Sequence, residues 1–131
     1  MESAIELSDV SKAFGRFQAV DRMSLRVPRG SMFGLLGPNG AGKTTTLRMI
    51  MSITAPDSGT IRILGHPMDR QTQNRIGYLP EERGLYRKMT VLDQLLFLAE
   101  IRGLKRAAAL PEIERWLARV DLAGRGKSKV E

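Results

Sequence analysis

The chain has 131 residues, 21 Lys and Arg against 14 Asp and Glu, a net charge of +7, one His and no Cys. That length gives room for one domain with a modest core, and the lack of cysteine excludes disulfides and thiolate metal sites. The apolar runs are far shorter than the roughly eighteen residues of a membrane span, Met1-Glu2-Ser3-Ala4 lacks the regions of a signal peptide, and the dispersed basic residues are not interleaved with aromatics as in a nucleic-acid stacking platform. A cytosolic chain with solvated charged faces and no nucleic-acid partner is expected.

Ile5, Leu7 and, after a slip in the alternation, Val10 predict a first strand. Met23, Leu25 and Val27 alternate with Ser24 and Arg26, which predicts a second, half-buried strand. Phe14-Gly15-Arg16-Phe17-Gln18-Ala19-Val20 lies between them and is long enough to reverse the chain, so the two are expected as an antiparallel pair. Either phenylalanine could stack on a purine face. By composition alone, Phe14 reads rather as a packing residue.

Met32-Phe33-Gly34-Leu35-Leu36 reads as a buried strand, bounded behind by Pro28-Arg29-Gly30. It enters Gly37-Pro38-Asn39-Gly40-Ala41-Gly42-Lys43-Thr44-Thr45, which fits the pattern Gly, four of anything, Gly, Lys, Ser or Thr. Leu47, Ile50 and Met51 fall at helical spacing, so a helix starts near Lys43. Strand, glycine loop and helix in that order are the context the pattern requires. Its chemistry lies in the backbone: a glycine-rich turn aims successive N–H groups into one concavity, and the helix adds its unpaired N–H groups and positive dipole end. Lys43 supplies a charge for the β- and γ-phosphates, the Thr44 hydroxyl suits Mg²⁺, and Thr45 adds one more hydroxyl. A flexible surface turn is the bland alternative; the flanks favour a nucleoside triphosphate site.

Ala55-Pro56-Asp57-Ser58-Gly59 is a turn signal, and Ile61 and Ile63 around Arg62 predict a further strand. His66, between Gly65 and Pro67, has no second ligand type spaced for metal and reads as a surface loop residue. Ile76-Gly77-Tyr78-Leu79 predicts a short strand stopped by Pro80, with Glu81 and Glu82 directly after it. Strand ends in open α/β sheets are where ligands are handled, although adjacent glutamates are by themselves ordinary surface residues. Thr90 and Asp93 form a capping-box pattern for an apolar helix that stops at Gly103. Pro111 suits the first position of the next helix, whose expected apolar face is Ile113, Trp116, Leu117 and Val120 with Trp116 in the core. Residues 124–131 read as a polar, glycine-rich loop.

With Phe14-Gly15, GPNGAGKTT, PDSGTIRILG, IGYLPEERGLY and the apolar helix after Thr90 in place, the chain resembles the ATP-binding cassette family, the ATPase subunits of ABC transporters, over essentially all its length. Within it the likeness is greatest to two-component exporters related to bacterial sodium and drug efflux ATPases. The resemblance implies an α/β fold: a P-loop NTPase core of the ABC type with an antiparallel β subdomain, an incomplete sheet and the start of a helical subdomain. It divides the chain into an antiparallel front (1–30), a phosphate-loop core (31–80) and a glutamine-loop region with helical subdomain (81–131). It implies ATP and Mg²⁺ as ligands, with Phe14 stacking on adenine against the composition-based reading. Asn39, Gly40, Ala41, Gly42, Lys43, Thr44 and Thr45 form the phosphate cradle, and Thr44 meets the metal. Glu81 falls where the family usually has glutamine, in the loop that contacts metal and attacking water and passes movement to the membrane partner. An ionised carboxylate can ligate Mg²⁺ but donates no proton, so altered Mg²⁺ dependence is expected.

The resemblance also implies partners: a transmembrane permease subunit and a second ATP-binding subunit, placing the chain on the inner face of the cell membrane. The family's later signature segment (LSGGQ-like), Asp-Glu strand end and switch histidine do not occur in these 131 residues. The reading is therefore an N-terminal fragment that binds ATP without efficient turnover, with an unpaired, aggregation-prone edge beside the phosphate-loop strand. Alternatives are a non-hydrolysing regulatory module, then a GTPase or small-molecule kinase (no Asn-Lys-x-Asp guanine reader occurs), then nucleic-acid binding.

Overall fold

The structure is a computed structural model that describes residues 2–81 and 84–131. The chain divides into two compact units, Met1–Leu79 and Pro80–Glu131.

The first unit is an α/β arrangement on an open three-stranded sheet of order β2-β1-β3, with β1 at Ser3–Phe14, β2 at Phe17–Pro28 and β3 at Ser58–Ile63. Both pairings are antiparallel, with Leu7 opposite Leu25 and Ile61, and Phe14 opposite Phe17. The slip in the apolar alternation of β1 is a bulge: the register shifts between Leu7 and Val10, Asp9 takes φ 48°, and its N–H donates to Ser24 Oγ at 3.0 Å. One extra residue returns Val10 to the face of Leu7. Both are consequently buried, at 1% and 0% exposure. They form the core with Ala19, Val20, Ile63 and two residues of helix α1 (Lys43–Ile50), Met49 and Ile50. A short helix α2 (Arg70–Gln73) follows, capped by Asp69, whose carboxylate accepts from Thr72 N–H at 2.7 Å.

The strands expected at 32–36 and 76–79 are not formed; both stretches are irregular. Met32 and Leu36 are almost wholly exposed. An apolar run of this kind belongs to a strand covered on both faces and hydrogen-bonded on both sides. Among the described residues, β1, β2 and β3 bond only to one another, so the run at 32–36 has the composition of a central strand without the neighbours that make one. What is exposed there is an apolar segment rather than a sheet edge.

The second unit is a helix pair, α3 (Val91–Ile101) and α4 (Arg106–Arg119), around Leu96, Ala109, Ile113 and Leu117. The α3 start is closed on every side. Thr90 Oγ1 accepts from Asp93 N–H at 3.1 Å and donates to Asp93 Oδ2 at 2.8 Å. The carbonyls of Ser128 and Gly126 accept from Val91 and Leu92 N–H at 2.8 and 2.9 Å. The tail expected as a plain loop thus serves as a backbone cap, with Lys129 bridged to Thr90. The far end of α3 is a Schellman motif: Gly103 at φ 86° bonds to Glu100 O, and Leu104 N–H bonds to Ala99 O at 3.0 Å.

Helix α4 begins before Pro111, which lies inside it. The Ala107-Ala108-Ala109 run forms helix readily, and burying Ala109 in one row with Ile113 and Leu117 requires helical geometry from before the proline. The cost is one ladder bond, because Pro111 cannot donate to the Ala107 carbonyl. Trp116 is not core. At 53% exposure it lies off that row, with the Arg119 guanidinium 4.7 Å from its ring centre. Val120 is exposed too.

Candidate functional site

The glycine loop is anchored at its C-terminal end. Gly42 is the N-cap of α1 at φ 88°, and a Cβ there would stand 2.3 Å from the Ala19 carbonyl oxygen and 3.1 Å from Val20 Cγ2. Glycine is needed for both handedness and approach. This contact seats the start of α1 directly on β2. Below it Thr46, wholly buried, donates its hydroxyl to Gly42 O at 2.8 Å, with Met23 Sδ at 3.8 Å. Met49 and Ile50 fix the same helix face in the core.

Above the anchor, Ala41 N–H bonds to Pro38 O at 3.1 Å and closes the turn. Lys43 folds back into the loop: its ammonium donates to Gly37 O, and to Pro38 O at 2.8 Å. Asn39, Gly40, Ala41 and Thr44 are exposed, while Gly42, Lys43 and Thr45 are half-buried. Helix α1 has no side-chain cap and no acid in its first turn. An ammonium group inside a loop at a helix N-terminus favours an anion, with the dipole and the amide hydrogens acting in the same direction. The exposed Thr44 hydroxyl is a hard oxygen donor of the kind Mg²⁺ takes alongside phosphate oxygens and water. No cluster of three or more His, Asp or Glu that could hold a metal occurs among the described residues.

Phe14 and Phe17 face each other at the hairpin tip, 52% and 58% exposed and outside the core. Lys12 and Asp57, neither of which the motifs mark as a site residue, lie beside Phe14. Lys12 Nζ lies 5.4 Å from the Phe14 ring centre and 3.1 Å from Asp57 Oδ1. Asp57 Oδ2 accepts from Ala13 N–H at 2.8 Å. That backbone bond, then the Lys12 hydrogen bond, holds the Asp57 carboxyl below its ordinary value. A signal existed for half of this: Lys12 and Phe14 are two residues apart on a strand and share a face. Nothing local in the 55–59 turn announces that its acid reaches the hairpin.

Glu81 lies in the second unit, exposed in a bend; Glu82 is outside the described residues. The structure thus gathers Phe14 and residues 39–45 in one unit and describes Glu81 in the other. His66 is exposed in the turn after β3, where its backbone pairs with Ile63. Its charge is a minor influence on Asp69, whose carboxyl is lowered first by the Thr72 backbone bond.

Comparison with known proteins adds a second line of evidence. The family described as ABC transporter matches residues 20–131. The uncharacterised ABC transporter ATP-binding protein YhaQ of Bacillus subtilis is 46% identical over 127 residues, covering 97% of this chain and 43% of that protein. The Nod factor export ATP-binding protein I of Paraburkholderia xenovorans is 46% identical over 109 residues, 81% of this chain and 36% of that protein. A solved ATP-binding subunit of an ABC transporter superposes with a TM-score of 0.79 at 28% identity, covering 97% of this chain and 54% of that one. The chain spans less than half the length of these curated relatives.

Proposed function

The chain belongs to the ABC transporter family, and from that premise we propose that it is the nucleotide-binding part of an ATP-driven transport subunit, holding Mg²⁺-ATP on residues 37–45. The observation that carries this is the seating of α1: Gly42 pressed on Ala19, no side chain capping the helix, and the Lys43 ammonium held over the loop carbonyls. Lys43 exchanges carbonyl partners for phosphate oxygens, Thr44 offers its hydroxyl to the metal, and Asn39 to Thr45 line the cradle with backbone donors. Bound Mg²⁺ would neutralise phosphate charge. Phe14, exposed on the same unit, receives the adenine.

By the likeness to the family, the loop that holds Glu81 would pass movement to a permease in the membrane. A second ATP-binding subunit completes each site, and the pair works at the cytoplasmic face. No helix among the described residues is long and apolar enough to cross a membrane, which accords with attachment through a partner. The name of the Nod factor export relative supports an exporter over an importer. Taken by themselves, these 131 residues carry the cradle without an Asp-Glu strand end or switch histidine, so this polypeptide binds ATP with negligible turnover, like a regulatory module.

Isothermal titration of the purified chain with Mg²⁺-ATP, beside a phosphate-release assay, tests the reading. Binding that Lys43→Ala weakens, without turnover, is the expected result. A folded chain with no affinity for adenine nucleotides would overturn the assignment, and Lys43-dependent hydrolysis would overturn the claim of inactivity.

A further inference from the structure

One carboxylate ties the hairpin tip to the segment that follows the phosphate-loop helix. Asp57 receives Lys12 Nζ on one oxygen and Ala13 N–H on the other, while its own N–H donates to Ser11 O at 2.9 Å. Three successive residues of β1 are thereby bound to one residue of the turn. The Lys12 side chain is only 16% exposed, with its ammonium 5.4 Å from the Phe14 ring centre. The cation is sheltered while the ring, at 52% exposure, is presented to the surface.

We propose that Lys12 and Asp57 are positioning residues for the base of the bound nucleotide: Asp57 holds the Lys12 ammonium against one face of Phe14, and the opposite face receives the adenine. This rests on the ATP reading above and extends it to two residues outside the phosphate loop. A phenylalanine at a hairpin tip turns freely about two side-chain torsions, and stacking requires one orientation. A cation over one face restricts that rotation. It also draws electron density from the ring, which makes the far face a better partner for an electron-rich purine. Asp57 is needed because an exposed lysine would otherwise keep its ammonium in water.

The tether has a second effect. Helix α1 presents the phosphate loop at its N-terminus, ends at Ile50, and leads through a short turn to Asp57. The eight-residue helix is about 12 Å long, docked on β2 at one end and connected to the tip of β1 at the other. The two ends of this stretch are therefore each tied to the hairpin, Gly42 against Ala19 and Asp57 to Ala13.

Titration of the full chain with Mg²⁺-ATP and, separately, with inorganic tripolyphosphate and Mg²⁺ distinguishes base from phosphate recognition. Lys12→Met and Asp57→Asn should weaken ATP binding about three- to tenfold and leave tripolyphosphate binding unchanged. Lys12→Arg should restore ATP affinity. In a Phe14→Ala background, Lys12→Met should have no further effect. If Lys12→Met binds ATP like the parent while Phe14→Ala does not, the inference fails and the nucleotide reading stands. Equal loss of ATP and tripolyphosphate binding in Lys12→Met would also overturn it, since the lysine would then act through the fold of the loop. A folded parent chain that binds neither ligand sinks the ATP reading and this inference together.

Discussion

The N-termini of α1 and α3 are treated in opposite ways. Helix α3 opens with its N–H groups consumed: Thr90 takes one, and the tail carbonyls of Gly126 and Ser128 take two more. Helix α1 opens with no side-chain cap, on a glycine in the left-handed region, followed by Lys43 and three threonines. Both ends carry the same partial positive charge. At α3 that charge meets Asp93 and is used up in stability. At α1 no side chain caps the helix and no acid stands in its first turn; packing holds it instead, with Gly42 on Ala19 and Thr46 and Ile50 buried. The start of α1 is thus anchored by packing, where the start of α3 is anchored through its amides.

The largest expected effect comes from removing that anchor. Gly42→Ala must place a Cβ into the Ala19 carbonyl at a positive φ, costing about 3 kcal/mol or more. Urea unfolding should show loss of the cooperative transition or a large fall in its midpoint. Gly40→Ala, where the φ is also positive but nothing lies within 4 Å, should cost only about 1 kcal/mol. If the two behave alike, seating on β2 is not what holds α1.

Lys43→Ala should lower Mg²⁺-ATP affinity about ten- to a hundredfold while shifting the unfolding midpoint far less than Gly42→Ala does. Thr90→Ala is its mirror image: about 1 kcal/mol of stability lost, with ATP affinity unchanged. Should Lys43→Ala behave as Thr90→Ala does, the distinction between an open and a closed helix start collapses.

The smallest effect is on acid stability. Asp57 and Asp69 have carboxyls lowered chiefly by backbone N–H bonds from Ala13 and Thr72. Groups lowered on folding stabilise fully above their unfolded value and lose that contribution as pH falls through the folded one. The contribution should be intact at pH 7 and at pH 5, and should decline below about pH 4. Acid titrations followed by circular dichroism should show a smaller decline over that window in Asp57→Asn than in the parent chain.

Much of this was legible residue by residue. The loop at 37–45, the strand pair before it and the Thr90 cap depend on neighbours within a few positions, and period, spacing and capping chemistry report such relations directly. The slip before Val10 was visible as a break in alternation, though not that Ser24 would hold the bulge. The misreadings share a cause. Residues 32–36 have the composition of a strand, but a strand is a relation between segments. Pro111 marks a helix start on average; here burial of Ala109 decided otherwise. Helical spacing puts Trp116 on one face with Ile113, Leu117 and Val120, whereas the row Ala109, Ile113, Leu117 determines which face turns inward.

The sequence by itself determined the glycine loop at 37–45, the helix it opens and the family, because all three reside in short-range patterns of glycine, lysine and threonine. Only the tertiary structure decided that Gly42 must be glycine against Ala19, that the tail caps α3, and that Asp57 reaches Lys12 beside Phe14. Each of those is a contact between segments remote in the chain, and its distance is set by sheet register and helix docking, which no local pattern encodes.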